Sequence, residues 1–260
     1  MPSDKLHITI VQPDIVWENK NANYMQYERY LTAWKEKKEI VILPEMFNTG
    51  FSMQPEKFAE SMDGEAIQWM KRMAEQHKCI LTGSLMIEEG GNYFNRLVWM
   101  LPTGQCYHYD KRHLFAYAKE DEHYVPGNKR LIVSVNGWKI CLMVCYDLRF
   151  PVWLRNQKEE YDILVVVANW PERRAHAWKS LLTARAIENM SYVVGVNRVG
   201  RDANDICYNG DSIALSPLGE TLWTNSSDAV MHTVILDKTQ LKETRNQFPF
   251  LNDADHFILT

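Results

Sequence analysis

The sequence predicts an α/β fold built from two mixed sheets packed face to face, each covered by helices on its outer side. Three observations point to it. Up to residue 87, strand and helix patterns alternate, the rhythm of parallel crossovers. Beyond that, strand patterns follow one another across short turn signals, as hairpins do. No low-complexity linker, repeat or composition break divides the 260 residues, so one domain over 1–260 is the economical reading.

Each element has its own signal. "LHITIVQ" (6–12) alternates as a strand does. Tyr24, Tyr27, Leu31 and Trp34 recur at helical spacing. "EIVILPE" (39–45) is a short apolar strand ending at Pro44-Glu45. Asp63 is expected to cap a second helix with Ile67, Met70, Met73 and Ala74 inside. "CILTGSLMI" (79–87) is a further strand. "NRLVWML" and "QCYHYDK" flank Pro102-Thr103-Gly104, and "RLIVSV" and "WKICLMVC" flank Asn136-Gly137, a strong hairpin signal. "YDILVVVAN" (161–169) is β-branched throughout and reads as a central strand. "AHAWKSLLTARAIENM" (175–190) reads as a helix with Trp178, Leu181, Leu182 and Ile187 inward. "YVVGVNRV", "DSIALSP", "ETLWTN" and "VMHTVILD" complete the strands, with Pro217-Leu218-Gly219 turning between two of them.

Composition narrows the function classes. A net charge of −4 gives no basic excess for nucleic acid or an anionic membrane surface. No apolar run approaches the roughly 18 to 20 residues of a membrane span. "MPSDKLHITIVQ" shows no basic-then-apolar leader, so a cytoplasmic protein is expected. The five cysteines (Cys79, Cys106, Cys141, Cys145, Cys207) are odd in number and form no C-x-x-C pair. That argues against a disulfide framework and against structural zinc.

The signatures G-x-S-x-G, G-x-x-x-x-G-K, G-x-G-x-x-G and H-E-x-x-H are all missing. Three strand ends stand out instead. "VILPEMFNTGF" runs an apolar strand into Glu45. "QCYHYDKRHLF" ends a strand in a charge cluster containing Lys111. "KICLMVCYDLRFP" places Cys145 where an apolar strand turns polar. Taken singly, each has an ordinary reading: an acid meeting water, a solvated turn, a core cysteine. Taken jointly they make a set for amide chemistry. A cysteine attacks the carbonyl, a glutamate moves its proton, and a lysine steadies the oxyanion and favours thiolate. None of the eight histidines is marked as a partner for a cysteine–histidine dyad. This chemistry needs no metal and no organic cofactor.

These segments resemble the nitrilase superfamily of carbon–nitrogen hydrolases. "LPEMFNTGF" looks like its glutamate motif, "YDKRHLF" its lysine motif and "VCYDLRFP" its cysteine motif, in the family's order. The resemblance spans nearly the whole chain and implies a four-layer α-β-β-α sandwich and a catalytic triad of Glu45, Lys111 and Cys145. It implies an oxyanion hole made by Lys111 and the Tyr146 N–H. It also implies a supporting glutamate in "AKEDEHYVPG", Glu120 or Glu122, with Glu120 preferred for its distance from Gly127. "CYDLRFP" and "ANWPERRAHAWKSLLTARAIEN" most resemble the omega-amidase branch. Its substrates are short dicarboxylic acid monoamides such as 2-oxoglutaramate or succinamate. Such a substrate carries a carboxylate and needs a cation. Arg173 is the candidate, with Trp170 as a pocket wall or a packing residue. Asp147 and Arg149 are expected to form an ion pair at the nucleophile turn. The superfamily implies a homodimer or higher homo-oligomer, and residues 238–260 are expected to pack at a subunit interface. Within the superfamily, nitriles, carbamoyl amines and deaminated glutathione remain as alternative substrates, and a non-catalytic binding protein as the alternative class.

Overall fold

In a computed structural model, which describes residues 3–255, 257 and 258, the chain folds as a four-layer α-β-β-α sandwich. Its first part runs β1 (Lys5–Gln12), α1 (Lys20–Ala33), β2 (Ile40–Ile42), α2 (Pro55–Phe58), α3 (Glu65–His77) and β3 (Ile80–Glu89). The hairpin β4 (Asn92–Met100) and β5 (Cys106–Asp110) follows, then α4 (Glu120–His123). The second part runs β6 (Leu131–Val135), β7 (Trp138–Val144), α5 (Pro151–Leu154), β8 (Ile163–Val167), α6 (Ala175–Asn189) and β9 (Tyr192–Val196). It closes with β10 (Val199–Arg201), β11 (Cys207–Leu215), β12 (Thr221–Ser226), β13 (Val230–Asp237) and α7 (Lys238–Gln247).

The first sheet has the order β13-β1-β2-β3-β4-β5 and the second β10-β11-β9-β8-β7-β6, with β12 beside β11. β1, β2 and β3 are parallel, as are β7, β8 and β9; hairpins extend both sheets antiparallel. The alternation of β1 and β2 explains the layers. Leu6, Ile8, Ile10, Ile40 and Ile42 face the second sheet, packing with Leu142, Val144 and Val165. Val11 and Val41 face the other way, onto Tyr27, Leu31, Trp69 and Met70 of α1 and α3. β8 is buried along its whole length, as its unbroken β-branched run requires at the centre of a sheet covered on both faces. At the Asn136-Gly137 turn both residues take positive φ (49° and 84°), the requirement of a two-residue hairpin that matches strand twist.

Three expectations change. Asp63 does not cap α3. It is exposed, one residue before the Gly64 cap, and the Glu60 carboxylate accepts from Ala66 N–H (2.8 Å) instead. Ile187 is half exposed rather than inward, because the buried stripe of α6 steps from Trp178 to Leu182 to Ala186. Asp147 and Arg149 do not pair. Asp147 is fully buried, and its Oδ1 accepts from His113 N–H (3.0 Å) and lies 2.8 Å from His113 Nδ1. Its Oδ2 accepts from Tyr109 O–H (2.8 Å) and Val144 N–H (3.1 Å). The aspartate therefore ties the end of β5 in one sheet to the end of β7 in the other.

α7 packs on its own chain: Leu241 is fully buried, and Arg245 donates to the Met190 and Tyr161 carbonyls (2.8 Å each). Of the segment expected at an interface, His256, Leu259 and Thr260 lie outside the described residues. Among the described residues, no helix is long and apolar enough to cross a membrane.

Replacing Asp147 with Ala strips buried donors on both sheets of their acceptor. The expected cost is on the order of 3 kcal/mol or more in urea unfolding. An unchanged midpoint would show that Asp147 does not hold the sheets together.

Candidate active site

The three parallel strands β2, β7 and β8 end at one edge of the sandwich, the edge where the open sheets of α/β proteins place ligands. β2 leads through Leu43-Pro44 to Glu45, β7 leads directly to Cys145, and β8 leads through Ala168 to Asn169. Lys111 follows β5 at the same edge. Two backbone positions there take conformations that only glycine adopts freely: Met46 (φ 42°), next to Glu45, and Cys145 (φ 46°). Such positions cost of order 1–3 kcal/mol each and are tolerated where a side chain must be aimed. Cys145 opens a short 3-10 helix (Cys145–Arg149), making a sharp strand-to-helix turn.

Lys111, Glu45 and Glu120 form one buried cluster, each with 1 % or less of its surface exposed. Lys111 Nζ donates to Glu45 Oε1 (2.9 Å) and to Glu120 Oε1 and Oε2 (2.9 and 2.8 Å). Glu45 Oε2 accepts from Asn169 N–H (2.8 Å), and Asn169 Nδ2 donates back to the Glu45 carbonyl (2.6 Å). Glu120 Oε2 also accepts from Phe115 N–H (2.6 Å). Of the two acids the sequence left open, Glu120 enters the cluster, whereas Glu122 is exposed and pairs with Lys119 (3.5 Å). The approach is tight: a Cβ at Gly127 would lie 2.2 Å from the Asp110 carbonyl, next to Lys111.

One residue that sequence reasoning missed completes the cluster. Asn95 on β4 is buried, and its Nδ2 donates to both Glu45 Oε1 (2.8 Å) and Glu120 Oε1 (3.0 Å). Its Oδ1 accepts from Ser84 O–H (2.8 Å). A single amide thus donates a hydrogen bond to each of two neighbouring carboxyl groups. The register that brings Asn95 to Lys111 is braced by Arg96, which grips Asp110 through two parallel bonds (2.6 and 2.9 Å). The available signal was an Asn-Arg pair inside an otherwise apolar strand, costly there unless both are partnered.

Burial alone would push the Lys111 ammonium down, but Glu120 and then Glu45 outweigh it and hold it above the ordinary lysine value. Burial, with the charge of Glu45 added, raises Glu120 despite the lowering pull of Lys111. Burial pushes the Cys145 thiol well up, and Glu45 adds to this more than Lys111 subtracts. Burial and the neighbouring Glu45 thus act against the lysine-favoured thiolate that the sequence leads one to expect.

Cys145 opens onto a cavity of about 170 Å³, small and fit for a short acyl chain. Phe51, Tyr146, Trp170 and Tyr208 wall it, and Arg149, Arg173 and Arg174 line it. Trp170 is 4 % exposed, tilted against Trp178 (centroids 5.4 Å), so it both walls and packs. Arg173 is exposed; Arg149 and Arg174 are half-buried.

Comparison with known proteins identifies the family. The family model for carbon-nitrogen hydrolase matches residues 7–246. Omega-amidase YafV of Escherichia coli (strain K12) is 43 % identical over 257 residues, covering 98 % of each chain. The 2-oxoglutaramate amidase of Bacillus subtilis (strain 168) is 28 % identical over 253 residues, covering 96 % of this chain and 97 % of that one. The crystal structure of XC1258 from Xanthomonas campestris, a CN-hydrolase superfamily protein with an arsenic adduct in its active site, superposes with a TM-score of 0.97 at 39 % identity. It covers 99 % of this chain and 100 % of its own. With a family match over most of its length and a full-length relative at this identity, the chain belongs to the carbon–nitrogen hydrolase family.

Proposed function

We propose that this enzyme hydrolyses the terminal amide of a short dicarboxylic acid monoamide, of the 2-oxoglutaramate or succinamate kind, to the acid and ammonia. The observation that carries the reading is the buried Glu45–Lys111–Glu120 cluster beside Cys145, at the end of a small cavity lined by arginines. The omega-amidase and 2-oxoglutaramate amidase relatives support it.

The amide carbonyl docks against Cys145. As sulfur attacks carbon, the thiol proton passes to Glu45. Negative charge gathers on the carbonyl oxygen, facing the Lys111 ammonium and the Tyr146 N–H in the first turn after the strand. Glu45 returns the proton to the leaving nitrogen, ammonia departs and a thioester remains. Water then attacks the thioester while Glu45 takes its proton. The acid leaves, and the proton goes back to sulfur. Glu120 holds Lys111 in place, and Asn95 keeps the two carboxylates apart in role. Trp170 walls the acyl chain, and an arginine meets its carboxylate, with Arg173 at the exposed rim. We further propose one catalytic domain acting in the cytoplasm, where the five free thiols stay reduced. We propose a homodimer with the C-terminal segment, including exposed Phe250, at its contact.

Purified protein should release ammonia from 2-oxoglutaramate and succinamate, and Cys145→Ala should release none; full activity in that variant would remove Cys145 from the chemistry. Lys111→Met should lower kcat by about a hundredfold to a thousandfold, the range for a lost oxyanion donor. A rate within threefold of wild type would take Lys111 out of the site. Because the folded thiol lies above its ordinary value of 9.0, the protonated form prevails below that pH. The ultraviolet thiolate absorbance lost on Cys145→Ala should therefore be absent at neutral pH and rise only in alkali. A Cys145 thiolate band at pH 7 would contradict proton transfer to Glu45 as the first event.

A further inference from the structure

We infer that Arg149 and Arg174, rather than the more exposed Arg173, form the anion-binding end of the cavity and grip the substrate carboxylate between them. The inference deepens the amide-hydrolysis reading and rests on it for the orientation of the substrate. Three guanidinium groups line one small cavity that has no aspartate or glutamate in its wall. The fully buried arginines are paired: Arg96 with Asp110, Arg185 with Glu188, Arg198 with Asp14, Arg245 with Asp162. Among the described residues, Arg149, Arg173 and Arg174 form no ion pair. Half-buried Arg112 and Arg155 also lack one among these residues, so what sets the cavity arginines apart is that three converge on one space.

The two inner arginines are held rather than free. Arg149 lies over the Trp170 ring and Arg174 over the Phe115 ring, each 5.0 Å from the centroid. Trp170 Nε1 donates to the Arg174 carbonyl (2.9 Å), so one indole orders both residues. Burial pushes Arg174 down, Cys145 pulls it back in part, and the charges of Arg173 and Arg149 push it down again. Uncompensated like charges at half-buried positions are costly unless an anion arrives to meet them. A carboxylate does so bidentately, through the planar forks. Arg149 also rides on the same 3-10 turn as Cys145, four residues along. One short turn therefore carries both the nucleophile and this arginine, and the Trp170 ring holds the guanidinium, which suits a short chain with an amide at one end and a carboxylate at the other.

The test compares kcat/KM for succinamate with that for butyramide, a neutral amide of similar length, in wild type and in Arg149→Met, Arg174→Met and Arg173→Met. The succinamate-to-butyramide ratio should fall about tenfold to a hundredfold in the first two variants, through KM, and within about threefold in the third. Arg174→Lys, which keeps the charge and loses the fork, should fall between wild type and Arg174→Met. A ratio unchanged in both inner variants, or a larger fall in Arg173→Met, overturns the assignment. Calorimetric titration of succinate into Cys145→Ala reads the same site without turnover. Its Kd should rise by a similar factor when Arg149 or Arg174 is replaced. If wild type hydrolyses neither amide, the amidase reading falls and this titration alone decides the clamp. Succinate binding that needs the two arginines upholds it, and absent or arginine-independent binding removes it.

Discussion

Everything at the active edge is arranged around one buried ammonium. Lys111 has no access to water, so its charge is tolerated only because Glu45 and Glu120 face it at hydrogen-bonding distance. Two carboxyl groups share one ammonium, and the charge of Glu45 adds to burial in raising Glu120. Asn95 eases their proximity by donating to both. The same crowding bears on the thiol: Glu45 opposes ionisation of Cys145 more than Lys111 favours it. On the proposed reading, Glu45 is the base beside the thiol and Lys111 the cation that faces the oxygen on which charge develops.

The cluster needs parts from distant segments, and the sandwich supplies them by ending parallel strands of two sheets at one edge. Precision comes from a few fixed points. Met46 and Cys145 adopt strained backbone angles next to or at the reacting groups. Asp147 joins the turn after β7 to the loop after β5, so the segments bearing Cys145 and Lys111 share one anchor across the sheet interface. Arg96 sets the β4–β5 register that brings Asn95 beside Lys111. These braces lie away from the cavity, yet they determine what faces it.

The cavity has two ends of opposite character. At one, a thiol sits among carboxyl groups and a lysine; at the other, guanidinium groups lie over aromatic rings with no acid in the cavity wall. A small molecule with an amide at one end and an anion at the other matches this polarity in one orientation only.

The sequence by itself determined the strand and helix patterns, the hairpin turns at Gly104 and Gly137, and the family to which the chain belongs. Those rest on local signals: periodicity, turn chemistry and three motifs at strand ends. Glu45, Lys111 and Cys145 stood out because a polar group at the end of an apolar run is conspicuous. Tertiary structure alone decided the rest. The pairing of β13 with β1 joins residues more than two hundred positions apart, and no local pattern encodes it. Asn95 drew no notice because an amide's value depends on which carboxylates surround it. Asp147 and Arg149 looked like a natural pair as neighbours in sequence, but burial gave Asp147 donors from both sheets and turned Arg149 to the cavity. Asp63 lost its capping role to Glu60 for the same reason. Charge partners are chosen by distance and desolvation in three dimensions, which spacing along the chain does not reveal.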